Sequence, residues 1–455
     1  MLLGKRFDEF VKQSPVSVMV NGILERIFQG SRLEQLFEEH TVRQYTRDLT
    51  FGQCVDCMCD VVTRIVPSVG SWFQLHHEEL GVSRQALYDK LRHLELPTST
   101  ALVRYSAAEC LAVLKEMKPT PAPLPGYRLR VIDGNHLAST ERRLKELRRL
   151  RSGPLPGLGL AFYDVQFGVI DDVVLCEDGH AQERSLFPAA LERIVAGDCL
   201  VADRNFCTLA FLCGIHTQSA KFVIREHANF PLQLVGRSKG VGRDRRGRKL
   251  TEQEIQVTDP ESGQTHTWRR VTIYLTELTQ AGETELHILT NLPKRHRAAR
   301  VADLYADRWT IERAFWHLSE DLSSEIDTLA YPRAALFGFS VAVVAYNVVQ
   351  MAKGAIAATW GEERMQNEIS MYYLAQEVSR VTPGMLIAVP PPAWKVFATM
   401  SSSDFAKTLL SLAASMNLSK YRKSKRGPKK KQPKKLSGKH KPHVSTARLL
   451  AGRTA

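Results

Sequence analysis

The sequence predicts a mixed α/β fold with a β-rich insertion, preceded by an all-helical N-terminal region. Three observations lead there. Apolar residues recur at helical spacing from Val20 to Phe37 and from Cys54 to Val66. After the proline-rich stretch 119–125 the period changes, and short strand-like runs alternate with helical ones as far as Glu226. Residues 232–283 then alternate polar and apolar side chains around a Gly/Arg-rich loop, and long helical stretches follow from about 298.

Taken in order, residues 1–120 form the helical N-terminal domain. Within it, 79–95 reads as a turn and a helix, with Ser83 as N-cap and Leu87, Leu91 and Leu94 facing inward. RLRVID (128–133) reads as a strand ending at Asp133, and the basic segment 141–151 as a short helix. GLAFYDV and VIDDVVLC read as two more strands of a meander, QERSLFPAALERIV as a helix, and DCLVAD (198–203) as a strand ending at Asp203. A helix at 207–216 and the strand KFVIRE (221–226) complete the first part of a core, 127–231. The insertion occupies 232–283. The second part of the core, 284–360, holds the strand ELHILTN and helices at about 298–320 and 334–353. A helical region follows at 361–417, and then a tail, 418–455, of Lys, Arg, Pro and Gly that cannot bury a core and should be disordered when free.

Composition narrows the classes. A chain of 455 residues, 44% hydrophobic and 24% charged, is neither a disulfide miniprotein nor a collagen nor a wholly disordered chain. The net charge of +14 lies entirely in the tail, because residues 1–417 carry 48 basic and 48 acidic side chains. A basic arm on a neutral body suits a polyanion. The eight cysteines lie largely in apolar segments and read as reduced core thiols. Cys54 and Cys57 have zinc-like spacing but no second pair at ligand distance. No signal peptide is expected at the N-terminus. Ala334–Ala352 is long and apolar enough to span a bilayer, but its Ser340, Tyr346, Asn347 and Gln350 favour a helix buried in a soluble core.

The chemistry concentrates in three acids. On the helix near 312, Leu304, Ile311, Phe315, Leu318 and Leu322 form an apolar stripe. Tyr305, Arg308 and Glu312 form a polar one beside it. A solvated Arg308–Glu312 pair would give the same spacing. Asp133 opens an Asp-Gly-Asn that also reads as a hairpin turn, and Asp203 could simply cap the following helix. Convergence of all three carboxylates would instead demand a cation, and oxygen-only ligands select Mg²⁺ or Mn²⁺. Two such ions, roughly 3.5–4 Å apart, would drive an in-line phosphoryl displacement. Arg204 and Arg308 would hold phosphate oxygens bidentately.

These segments resemble an insertion-sequence transposase of the DDE class, in the IS-four family. The resemblance rests on IDG at 132–134, GD-x-LVADRNF at 197–206, YADRWTIERAFWHL at 305–318 and the tail KRGPKKK…HVSTARLL, and runs from about Leu129 to Leu450. It implies an RNase H-like (retroviral-integrase-like) catalytic core with a β insertion before the last catalytic helix, and Asp133, Asp203 and Glu312 as metal ligands. Tyr305, Arg308 and Glu312 match the family's tyrosine–arginine–glutamate–lysine signature, whereas its lysine position falls on Ser319. Trp309 could stack on a base near the cut, although a core position is the slightly favoured reading.

Further residues point to DNA. Arg84, Gln85, Tyr88 and Arg92 would face outward from a helix-turn-helix at 79–95, an ordinary helical hairpin being the alternative. Arg243, Arg245 and Arg246, in the loop Gly236–Lys249, would grip the phosphate backbone, and the tail would add contacts that read no sequence. The expected function is therefore a DNA transposase that binds its terminal inverted repeats, cleaves the ends and joins them to target DNA. It would work as a homodimer on double-stranded DNA, with no membrane or small-molecule substrate, in a bacterial cytoplasm at the nucleoid. Rival readings are a nuclease of the same fold that cuts without joining, a non-catalytic DNA-binding protein from a decayed element, and a membrane protein using 334–352.

Overall fold

The computed structural model describes residues 4–44, 46, 48–117, 121–140, 144–279, 282–423 and 443–452. Its centre is a nine-stranded sheet in the order β4-β3-β1-β5-β6-β10-β9-β8-β7. The strands are β1 (Arg128–His136), β3 (Leu158–Asp164), β4 (Val169–Cys176), β5 (Asp198–Ala202), β6 (Lys221–Arg225), β7 (Gln233–Arg243), β8 (Lys249–Thr258), β9 (Thr265–Tyr274) and β10 (Glu285–Thr290). β1, β3 and β4 form the expected antiparallel meander. β5 lies parallel to β1 and β6 parallel to β5. The insertion continues the same sheet, since β9 pairs antiparallel with β10, β8 with β9 and β7 with β8. Most of the supposed Gly/Arg loop is strand, with the turn confined to Asp244–Arg248. Edge strand β7 is exposed along its length and carries Arg237, Lys239 and Arg243, charges that discourage further strand addition.

β3 and β5 are buried throughout, as strands covered on both faces should be. Alternation assigns the faces. Ile132, Leu160, Leu200 and Ala202 join a core with α8 (Phe187–Leu191) and α9 (Leu209–Thr217), where Phe187 stacks on Phe206 and Phe211. Leu129, Val131, Cys199 and Val201 point the other way, into the larger helical core. The segment 182–195, expected as one helix, is a short 3-10 turn at Glu183–Leu186 followed by α8, with Pro188 at the helix start.

The helices of both chain ends build that larger core together. α1 (Asp8–Gln13), α2 (Pro15–Ile27), α3 (Gly30–His40), α4 (Phe51–Val62), α5 (Val69–Leu80), α6 (Arg84–His93) and α7 (Leu96–Glu116) precede the sheet. α12 (Pro332–Trp360), α13 (Glu362–Glu368), α14 (Met371–Ala388), α15 (Pro391–Thr399) and α16 (Ser402–Ala414) follow it. α2 packs on α14, α15 and α16 rather than in a separate N-terminal unit. Gly22 makes the approach possible, since a Cβ there would lie 2.8 Å from the Phe397 ring. Asn21 Nδ2 donates to Thr382 Oγ1 at 2.8 Å. α12, the helix long enough for a bilayer, is buried over 94% of its most apolar window, between α7, α4, α16 and the sheet. Cys54, Cys57 and Cys59 are buried free thiols on α4.

The tail departs from the expectation of disorder at its far end. β11 (His443–Ser445) pairs in parallel with β2 (Gly153–Leu155), and α17 (Thr446–Ala451) follows, with Arg448 Nε donating to Asp178 Oδ2 at 2.6 Å. The polybasic stretch 424–442 and part of the proline-rich linker lie outside the described residues. The basic segment expected to be helical holds only a 3-10 turn at Lys145–Leu147 in its described part.

Candidate active site

Strand register brings the first two acids level. β1 and β5 are parallel with Val131 opposite Val201, so Asp133 and Asp203 follow at equivalent positions, both on the face of the helical core. β1 does not end in a hairpin turn at Asp133. It runs on to His136, with Asp133 opposite Ala161 of β3. Asp203 does cap the 3-10 turn Arg204–Phe206, Oδ1 accepting from the Asn205 amide at 2.7 Å.

The opposite ends of the same strands are held by a buried ion-pair cluster. Arg130, 2% exposed, donates to Asp171 Oδ1 at 2.6 Å and to Asp198 Oδ2 at 3.3 Å. Arg128 Nε donates to Asp198 Oδ1 at 2.6 Å. Asp171 sits on β4 and Asp198 opens β5, so the cluster ties three strands in one register.

The third acid arrives on a broken helix. The expected single helix over 298–320 is α10 (Ala298–Ala306) and α11 (Trp309–Glu320), separated at Asp307–Arg308. There the backbone closes three-residue turns, Arg308 to Tyr305 at 3.1 Å and Thr310 to Asp307 at 3.0 Å, a tightening typical of a functional break. The supposed continuous stripe of Tyr305, Arg308 and Glu312 is therefore split. Tyr305 is buried below the break, while Arg308, 9% exposed, bridges the acids. Its Nη1 lies 3.5 Å from Asp133 Oδ2 and its Nη2 2.8 Å from Glu312 Oε1. Glu312 is thus linked to Asp133 through Arg308. The guanidinium Nε is buried without a partner among the described residues. A merely solvated Arg308–Glu312 pair is excluded by this burial.

Charge in the site is unbalanced. Burial pushes the Asp133 carboxyl up to about 7, with Arg308 opposing and Asp203 and Glu183 adding to the rise. Glu183 is raised too, by burial and then by Asp203. This fourth carboxylate gave no signal in the sequence, because an acid ahead of an apolar helical run is ordinary at a helix start. Gly134 makes room for it, since a Cβ at that position would stand 2.2 Å from Glu183 Oε1. The ligand atoms of these acids do not all lie within 4.8 Å of one another among the described residues, but an oxygen-only set short of positive charge has the chemistry that suits a hard divalent cation such as Mg²⁺ or Mn²⁺.

Other expected contacts sort differently. Arg204 is half exposed and 3.8 Å from Glu283, which also pairs with Arg225. Trp309 is not core. It is 57% exposed, with the Arg308 guanidinium 5.0 Å from its ring centre. Ser319 turns its hydroxyl back on its own helix at 3.2 Å. A cation the sequence did not flag stands there instead: exposed Arg64, at φ +62°, reaches Ser323 Oγ at 2.9 Å and the Ser319 carbonyl at 3.5 Å. Arg245 bonds Asp307 at 2.7 Å, which docks the insertion turn on the helix break. Arg243 donates to the Gly247 carbonyl at 2.6 Å, and the Arg246 amide to Asp244 at 3.0 Å. In α6, Arg84 and Gln85 are exposed and Tyr88 half-buried, while Leu87, Leu91 and Leu94 are buried. Arg92 instead lies 5.1 Å from the Tyr331 ring centre and 3.6 Å from Asp89. Gly81, at φ +62°, ends α5, and Ser83 caps α6 by accepting from the Ala86 amide.

Residues 158–348 match the family model of a transposase DDE domain. The span includes Asp203 and Glu312 and begins after Asp133. No curated protein matches the chain. The solved structures that match include the cryo-EM structure of a piggyBac transposase synaptic complex with hairpin DNA. It is 8% identical, with a TM-score of 0.34, covering 81% of this chain and 86% of that one.

Proposed function

With a transposase DDE domain over residues 158–348 as its premise, we propose that this chain binds the terminal inverted repeats of its element, cleaves the DNA ends and joins them to target DNA. The observation that supports this reading is the pair Asp133 and Asp203, level on adjacent parallel strands, with Glu312 linked to Asp133 by a single arginine. We read β4-β3-β1-β5-β6 as an RNase H-like core, extended by the insertion.

Asp133, Asp203 and Glu312 would hold Mg²⁺ or Mn²⁺, two ions per site. Bound there, such ions activate the attacking water or 3′-hydroxyl and stabilise the leaving oxygen. Arg308, between Asp133 and Glu312, would offer its planar fork to a phosphate oxygen. Buried Tyr305, next to Arg308, would help hold it in place. Exposed Arg204 and Trp309 flank the strand to be cut, the former on a phosphate, the latter on a base. Arg243, Arg245 and Arg246 carry the duplex across the insertion turn. α5 and α6 serve as the helix-turn-helix, with Arg84, Gln85 and Tyr88 toward the groove and Arg92 at its margin. Joining two ends requires a homodimer on DNA, at the nucleoid of a bacterial cell.

The test uses a duplex carrying the inverted repeat that brackets the reading frame. The chain should cut it with Mg²⁺ and transfer the 3′ end into a second duplex. Cutting without joined products would favour a simple nuclease. Arg84→Ala should weaken end binding and lower the salt slope by about one. An unchanged slope removes α6 from the interface.

A further inference from the structure

A second cluster of metal-ligating side chains lies away from the carboxylate site. It joins α9 of the core to the turn between β8 and β9 of the insertion. One ligand atom each from Cys213, Asp259 and His266 lies within 4.8 Å of the other two, a spacing compatible with one small coordination sphere. Cys213 lies on α9, Asp259 in the turn after β8 and His266 on β9, so the helix and the insertion hairpin come together from distant parts of the sequence. Cys213 is 3% exposed and Asp259 9% exposed. His266 Nε2 is buried with no hydrogen-bond partner among the described residues, an uncommon state for an imidazole nitrogen unless something else satisfies it.

We propose that Cys213, Asp259 and His266 bind one divalent transition-metal ion, with zinc the cation best suited to them. A thiolate, an imidazole and a carboxylate select a borderline cation over magnesium. Three protein ligands leave one position for water. The surroundings prepare each donor. Asp259 is fixed by its own turn, Oδ2 accepting from Ser262 Oγ at 2.6 Å and Oδ1 from the Glu261 amide at 3.1 Å. His266 is held between rings, 4.4 Å from His216 and 5.8 Å from Trp268, to which it is parallel. Metal binding releases one proton from Cys213 as the sulfur–metal bond forms.

His216, three residues after Cys213, is not a ligand despite its place. Its Nδ1 accepts from Trp268 Nε1 at 3.2 Å and faces Asn291 Nδ2 at 3.3 Å. The Asn291 orientation is fixed, because Oδ1 accepts from the Phe222 amide and Nδ2 donates to the Ala220 carbonyl. With Nδ1 an acceptor, Nε2 keeps the proton and cannot coordinate. His216 instead braces the His266 ring.

The bound ion fastens the β8–β9 turn to α9, whose chain enters directly from Asp203 and its 3-10 turn. It is a structural clamp on the insertion, independent of the transposition chemistry. The test is titration of the metal-free full chain with Co²⁺ alone, followed by absorption. One equivalent should give a sulfur-to-cobalt charge-transfer band, displaced by Zn²⁺. Cys213→Ser should abolish the band, and Asp259→Asn should weaken Co²⁺ binding at least tenfold. Asp203→Asn should leave both intact. Absence of the band in the unmodified chain overturns the proposal, whatever the folding of the variants. So does a band that survives in Cys213→Ser, which would place the thiolate elsewhere.

Discussion

The two ends of β1 and β5 hold two groups of acids, separated by a few residues and opposite in character. At one end Asp171 and Asp198 face Arg128 and Arg130, with bidentate geometry and contacts of 2.6–3.3 Å. At the other, Arg308 pairs with Asp133 and Glu312, and Asp203 and Glu183 add negative charge near Asp133. Burial raises an acid in each group, Asp171 to about 6 and Asp133 to about 7. Asp171 is relieved first by Arg130, then by Arg128. Asp133 has one arginine, and its two nearest acids work against it. The first group pairs both acids with arginine and ties three strands, leaving only Asp171 Oδ2 without a hydrogen-bond partner among its four carboxylate oxygens. The second carries more acid than its one arginine balances. Charge balance, more than burial or residue type, separates structural acids from a candidate metal site.

Substitutions can break this contrast. The largest effect is expected at Asp203: Asp203→Asn should lower Mg²⁺-dependent end cleavage by about a thousandfold or more while end binding stays nearly intact. Unchanged cleavage would remove Asp203 from the site. In the balanced group, Arg130→Met leaves Asp171 and Asp198 sharing one arginine. Urea unfolding should then report a loss of about 3 kcal/mol, with or without Mg²⁺. Loss of cleavage at unchanged stability would mean that the two groups had been assigned the wrong way round.

A pH series sharpens the same point. Asp133 has a folded-state pKa raised from 3.8 to about 7, so the folded state binds more protons than the unfolded state between those values. Its contribution to stability is therefore lost as pH rises through that window and levels off above about 7, a change on the order of 4 kcal/mol. The metal-free chain should melt progressively lower from pH 4 to 7. Asp133→Asn should flatten that slope relative to the unmodified chain, and Mn²⁺ should restore stability at pH 8. Identical slopes in the two chains would show that Asp133 carries none of it. The smallest effect belongs to Glu183. Glu183→Gln should raise the Mn²⁺ concentration needed for half-maximal stabilisation by about tenfold without loss of fold by circular dichroism. No change would make Glu183 a bystander.

What the sequence made legible follows from what is local. The strands around 159–176 and 198–203 were readable because both obey the sheet's apolar pattern. The three acids stood out because two end apolar strands and one edges an apolar helical stripe. The continuation of β1 past Asp133 was hidden by Asp-Gly, which favours a turn unless a neighbouring strand pairs with it, as β3 does. The break at Asp307–Arg308 contains neither proline nor glycine. It coincides with a long-range bond from Arg245 that no periodicity reveals. Glu183, Arg64 and the pairing of β11 with β2 were likewise products of tertiary approach. So was the packing of α2 on α14, α15 and α16.

Iron-directed cleavage tests the convergence most directly. Fe²⁺ with ascorbate, bound in place of Mg²⁺, should cut the polypeptide near 133, 203 and 312 in the same molecule, with all three cuts suppressed by excess Mg²⁺ and absent in Asp203→Asn. Cutting near only one of the three, or cuts that persist in Asp203→Asn, would show that the carboxylates do not share a cation.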